Sequence, residues 1–139
     1  MKKILKLRTA ISLAMCVMLT LALFSACSKE ESDPRDNYVG SWRVTERITG
    51  YSEVGYYNIT IVKSSIDPKG IVINNFFDVS SVALIARVDG NTFDIPQQTF
   101  VDVGFSGSGN RDGNTLHWSV LANVTGGITL NLLADAVKM

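Results

Sequence analysis

His117 is the single histidine of the 139-residue chain, and Cys16 and Cys27 are its only cysteines. A zinc site needs three or four nitrogen, sulfur or carboxylate ligands in a cluster, and a nucleophilic triad needs a serine or cysteine with an oriented imidazole. One histidine with no thiolate beside it supplies neither, so no metal, catalytic residue or cofactor is expected. Aspartates and glutamates are scattered over separate turns, and no pair of them is marked for acid/base work. Gly104, Gly107 and Gly109 form a glycine-rich run, but no helix follows and no lysine completes a phosphate loop. The run reads as a strand bending into a long hairpin.

The residue type most out of place is Glu46. In Trp42-Arg43-Val44-Thr45-Glu46-Arg47-Ile48 the apolar residues alternate with polar ones. If Trp42 points inward, so do Val44, Glu46 and Ile48. A carboxylate on an apolar face needs a partner or a ligand, because burying it alone is costly. Glu46 is therefore expected to be a polar contact within a cavity, or else to sit near a wet mouth. Tyr57, Phe105 and Trp118 fall on the same predicted inner face and would line an apolar pocket near that mouth. Read as structure alone, they are core. Tyr51 and Tyr56, beside the loop from Gly50 to Gly55, are candidates for a rim that stacks on a sugar or a partner protein.

These residues must be positioned by strands. From Tyr38 onward the alternation has period two, and turn residues interrupt it every eight to twelve positions. Eight strands are expected, at residues 41–49, 56–63, 70–76, 81–88, 92–95, 99–106, 115–123 and 128–137. Ile71, Ile73, Val82, Leu84, Phe93, Ile95, Val101, Val103, Leu116, Val120, Ile128, Leu130 and Leu132 complete the inner face with Ile59 and Ile61. The final segment also carries a helical stripe in Leu130, Leu133, Ala134 and Val137. Asp89-Gly90-Asn91 and Asp112-Gly113-Asn114 have the chemistry of tight hairpins. Pro68 falls in a turn, and Pro96 where the fifth strand should end. Short links throughout imply sequential antiparallel neighbours. The predicted fold is thus all-β, an eight-stranded antiparallel up-and-down barrel that closes to hide its edges. A barrel of eight strands is just wide enough to be filled by side chains or to hold one small ligand.

The N-terminus reads differently. Met1 to Arg8 carries four positive charges and no negative one, and an apolar stretch runs from Ala10 to Ala26. It gives way at once to Ser28-Lys29-Glu30-Glu31-Ser32-Asp33, the order of an export signal rather than of a permanent span. Phe24-Ser25-Ala26-Cys27 resembles the lipobox of bacterial lipoproteins. That resemblance implies cleavage after Ala26 and lipidation of Cys27 with acyl chains such as palmitate, and more than one chain anchors a protein stably. Residues 1–26 are then the signal, 27–37 the lipidated cysteine and a flexible tether, and 38–139 the domain. Four of the thirteen basic residues and none of the thirteen acidic ones precede Cys27, so the mature chain would hold nine against thirteen, a net charge of minus 4. Mild acidity argues against nucleic acid as a partner. Cys16 leaves with the signal and Cys27 is acylated, so no disulfide staples the domain.

Ser28 after the cysteine resembles the choice of lipoproteins sent to an outer membrane. Lys29-Glu30-Glu31 is similar to the short acidic tag by which lipoproteins of the Bacteroidetes type reach its outer face. Tyr38-Val39-Gly40-Ser41-Trp42 resembles the Gly-x-Trp opening of lipocalin and calycin barrels, and the stretch from Gly90 to Gln98 resembles a segment of small lipocalin-like lipoproteins of that bacterial group. The resemblance implies that Trp42 plugs one barrel end, with a late basic residue, Arg111 or Lys138, over its ring. It also implies a non-enzymatic, outer-membrane-anchored lipocalin-like barrel that binds a small apolar or amphipathic ligand. The alternative is a filled barrel that contacts a glycan or protein at the cell surface.

Overall fold

The computed structural model of the protein describes residues 32–139. Eight strands follow one another: β1 (Gly40–Ile48), β2 (Val54–Lys63), β3 (Gly70–Asn74), β4 (Ala83–Asp89), β5 (Thr92–Phe100), β6 (Val103–Asp112), β7 (Thr115–Val124) and β8 (Ile128–Lys138). Each pairs antiparallel with the next, and β8 returns to pair with β1, so the sheet is a closed up-and-down barrel without a free edge. The last segment is a strand throughout, paired with both β7 and β1.

Alternation explains most of the interior. Trp42, Val44, Ile59, Ile61, Ile71, Ile73, Leu84, Phe93, Ile95, Leu116, Trp118, Val120 and Leu132 are buried, as their inward phase requires. Turns at one end are tight. Gly90 and Gly113 occupy the first position of two-residue links at φ +58° and +57°, which a side chain would resist.

Two expected inward residues face solvent. Val101 is 95% exposed because the chain turns at residues 101–102, with Val101 at φ +53°; the segment read as one strand from Thr99 is two, β5 ending at Phe100 and β6 starting at Val103. Ile128, 60% exposed, lies at the mouth end of β8 opposite Val124, beyond the last inward pair. Pro96 does not end β5 either. The register shifts between Ile95 and Gln98, and the bulge accommodates a residue without an N–H. Gln98 then serves the neighbouring strand with its side chain: its Oε1 accepts from Ile85 N–H and its Nε2 donates to Ile85 O, both at 2.8 Å, where the β4–β5 ladder has stopped.

The glycine run of β6 is not a bend. Gly107 and Gly109 sit within a continuous ladder to β7. A Cβ on Gly107 would lie 2.2 Å from Ser119 O, and one on Gly109 2.3 Å from Phe93 Cζ. They let the sheet and the Phe93 ring approach closely. Regular structure is also found within the segment expected to be a tether. Residues 34–37, read as tether, form a 3-10 helix (Pro34–Asn37) with Asp33 as its cap, inside the compact unit Asp33–Met139.

Candidate functional site

The two ends of the barrel are built differently. At the end where the chain enters, Trp42 is fully buried; its Nε1 donates to Tyr38 O at 2.8 Å, and Lys138 Nζ lies 5.4 Å from its ring centroid. Trp42 and Lys138 are cross-strand partners of β1 and β8, so the cation–π contact follows from the register. Of the two basic residues considered for this place, Arg111 instead bonds Asn91 and Gly113. Tyr38 packs edge-on against Phe93, and its hydroxyl donates to Gly90 O at 3.1 Å. Burial raises the Tyr38 pKa, so that hydroxyl keeps its proton. Trp42 is thus buried and held from both sides at the end where the chain enters.

Outside it, the Asp33 carboxylate takes hydrogen bonds from Arg35 and an ion pair from Lys63 at 2.9 Å, while Arg35 also donates to Asp67 O at 3.1 Å. Arg35 first and Lys63 second hold the Asp33 carboxyl well below the usual carboxylate range.

The opposite end is open and carries the remaining loops. Between β3 and β4 a short 3-10 turn (Phe76–Asp78) dips into it, and Phe76 is fully buried against Phe105 and Trp118. Asn75, Phe77 and Asp78 all have positive φ, a conformation that costs non-glycine residues energy. Phe77 borders two hollows. One, of about 380 Å³, is apolar and lined chiefly by Val82, Phe100, Val103, Phe105, Leu130 and Leu132. The other, of about 300 Å³, is lined by Glu46, Ile48, Glu53, Tyr56, Tyr57 and Asp78 among others.

Glu46 points inward as expected and is 5% exposed. Its Oε2 accepts a hydrogen bond from the Tyr57 hydroxyl at 2.7 Å. Burial pushes the Glu46 carboxyl above its ordinary pKa, with the Tyr57 bond pulling the other way. Tyr57 is raised too, first by its own burial and then by the neighbouring Glu46 charge. The pair therefore makes a buried polar contact between the inner faces of β1 and β2.

The residues proposed to line one pocket are divided between places. Glu46 and Tyr57 line the acidic hollow, and Phe105 the apolar one. Trp118 is core, packed against Phe76 and Phe93, and its indole N–H finds no acceptor among the described residues. Tyr51 and Tyr56 are 66% and 72% exposed. Cys27 and residues 1–26, expected to be a signal, lie outside the described residues. His117 faces outward, with its Nδ1 on Asp135, in a shallow groove of the outer wall. Ser119 Oγ on the same face donates to Asn131 instead, so no hydroxyl is bonded to that imidazole among the described residues.

Sequence reasoning missed Phe76, Phe77 and Phe100. Phe76, expected as the last residue of the third strand, lies beyond it, because β3 ends at Asn74 and Phe76 and Phe77 sit in the turn that follows, where periodicity carries no phase. Phe100 was put on the outer face by the same one-residue error that placed Val101 inside. The closed eight-stranded meander, with Lys138 over a buried Trp42, is consistent with a lipocalin-like barrel. Neither a scan against protein-family models nor a search of curated proteins finds a match for this chain.

Proposed function

We propose that this protein is a lipid-anchored envelope protein whose lipocalin-like barrel binds a small apolar or amphipathic ligand through its open end. The observation that carries the reading is the apolar hollow of about 380 Å³ at that end, walled by Val82, Phe100, Phe105, Leu130 and Leu132. Its size falls within the range of small-molecule sites, whose linings are mostly hydrophobic. Phe76 and Trp118 fill the barrel below it, so a ligand is held at the mouth rather than along the axis.

The anchor half of the proposal rests on the sequence. Cys27, following Ser25-Ala26 at the end of the apolar stretch, would take the acyl chains, and the outer membrane is the address implied by Ser28 and the acidic Lys29-Glu30-Glu31. Intact-mass measurement of protein extracted from membranes should show acyl chains on Cys27 of the wild type, with Cys27→Ser left as an unlipidated precursor; a wild-type protein without acyl mass would refute the anchor.

Binding is tested by calorimetric titration of the purified domain with octanol. Wild type should bind it, and Leu130→Trp, which fills the hollow, should lose roughly tenfold or more in affinity while melting near the wild-type temperature. Equal affinity in the two proteins would sink the pocket. The exposure of Tyr51 and Tyr56 favours a second reading, in which the rim contacts a glycan or protein. That reading expects a Tyr51→Ala/Tyr56→Ala variant to lose cell-surface partners that Leu130→Trp retains.

A further inference from the structure

We infer that the acidic hollow beside Phe77 is a site for a small organic cation, an alkyl- or arylalkyl-ammonium whose charge sits on Glu46 Oε1. The inference deepens the binding reading above and rests on the same open end, but it draws on different residues.

Glu46 is nine-tenths and more buried, yet no lysine, arginine or histidine is among the residues that line its hollow. Tyr57 occupies Oε2 only, and Oε1 accepts no hydrogen bond among the described residues. Arg47, the nearest cation in sequence, points to the opposite face of β1 and lines the groove on the outer wall. A buried carboxylate without a counter-ion is costly to keep, and the usual resolutions are a bound cation or a retained proton. The barrel could have avoided the cost with an apolar side chain, as it does at every other buried position on the inner face of β1.

The surroundings select the sign of the ligand. Glu53 and Asp78 line the same hollow, so an anionic head group would meet three carboxylates and no positive charge. A neutral ligand would leave the Glu46 charge unpaired. An ammonium would satisfy Oε1, and the rings of Tyr56, Tyr57 and Phe77 bordering the hollow offer faces on which cations are attracted. A volume of about 300 Å³ admits a head group with a short apolar arm. Phe77 is a wall of the apolar hollow as well, so such an arm is met by hydrocarbon on that side.

Three probes of similar size and different charge decide the matter: phenethylammonium, phenethyl alcohol and hydrocinnamate, each titrated calorimetrically near neutral pH. The ammonium should bind roughly tenfold or more tighter than the alcohol, and hydrocinnamate weakest of the three. Glu46→Gln, which keeps an acceptor for the Tyr57 hydroxyl, should remove that advantage and leave the affinity for the alcohol unchanged. A thermal melt checks that the variant is folded, and Tyr57→Phe, leaving the carboxylate in place, should retain a preference for the ammonium. Equal affinity for ammonium and alcohol, or an ammonium affinity indifferent to Glu46→Gln, would overturn the inference. Octanol uptake separates the two readings. If octanol binds and the ammonium does not, the apolar pocket stands and the cation site falls. If the ammonium binds through Glu46 and octanol does not bind, the reverse holds.

Discussion

The two ends of this barrel spend their residues in opposite ways. At the closed end the entering chain is held by paired polar groups, Trp42 on Tyr38, Tyr38 on Gly90, Asp33 on Arg35 and Lys63, with Arg111 Nε buried there without a partner among the described residues. The hairpin links there put glycine where φ is positive. At the mouth the positive-φ positions include Asn75, Phe77, Asp78 and Val101, the exposed side chains include Val101 and Ile128, and a carboxylate is buried without a cation. The same sheet runs through both ends, so the contrast is one of local choice rather than of fold. Satisfied contacts at one end and tolerated strain at the other are what a scaffold with a site at its mouth requires.

The largest effect should come from the closed end. Trp42→Ala removes a fully buried indole, its bond to Tyr38 O and the surface that Lys138 covers. A loss of about 3–5 kcal/mol in denaturant unfolding is expected, with the octanol site disturbed only through global unfolding. A loss below about 1 kcal/mol would show that the closed end is not the stabilising one. The next effect has the opposite sign. Val101 is a β-branched residue in a left-handed conformation, where L-residues are disfavoured by roughly 1–2 kcal/mol and asparagine is better tolerated. Val101→Asn should therefore stabilise the protein by about 1 kcal/mol. Because Val101 also borders the apolar hollow, octanol affinity should fall in the same variant. Destabilisation by Val101→Asn would remove the idea that the mouth stores strain.

Much of this contrast was legible in the sequence, and the parts that were not share a cause. Period-two alternation marked the strands, the inward phase of β1 and β2, and with it Glu46 and Tyr57. It ran the third strand on to Phe76, where β3 has already given way to a turn, it could not mark Phe77, and it lost its phase at Val101, where a turn without glycine or proline interrupts the pattern. Gly107 and Gly109 misled for a related reason. A glycine has no side chain to report a direction, so a close approach across the sheet and a bend look alike until Phe93 Cζ is placed beside the missing Cβ. Pro96 stands within β5 because a bulge absorbs it, and the bulge depends on register rather than on local composition. The candidate site suffered most. Its residues come from six separate strands and three loops, and only the closure of the barrel assigns Phe105 to one side of Phe77 and Glu46 to the other.

The smallest expected effect is the most specific to the comparison, because the two ends should titrate with opposite signs. Burial raises the Glu46 carboxyl above its ordinary pKa of 4.5, so the folded protein holds that proton more tightly than the unfolded chain does. The stability this contributes is full below the unfolded pKa and is lost as pH rises through the folded one. The groups facing Glu46 do not reverse the sign: Glu53 and Asp78 are acidic, and Tyr57 keeps its proton. Asp33 behaves in the other direction. Its carboxyl is lowered by Arg35 and Lys63, so its contribution is present above the ordinary value of 3.8 and is lost as pH falls. Glu46→Gln should accordingly melt a few degrees above wild type in neutral and mildly alkaline buffer, with the gap closing in acid. Asp33→Asn should melt below wild type at neutral pH, and its gap should also close in acid. Thermal melts of the two variants and the wild type across about pH 3 to pH 9 give both curves. Gaps of the same sign in the two variants would mean that Glu46, like Asp33, is a satisfied structural charge, and the contrast between the two ends would not extend to their buried carboxylates.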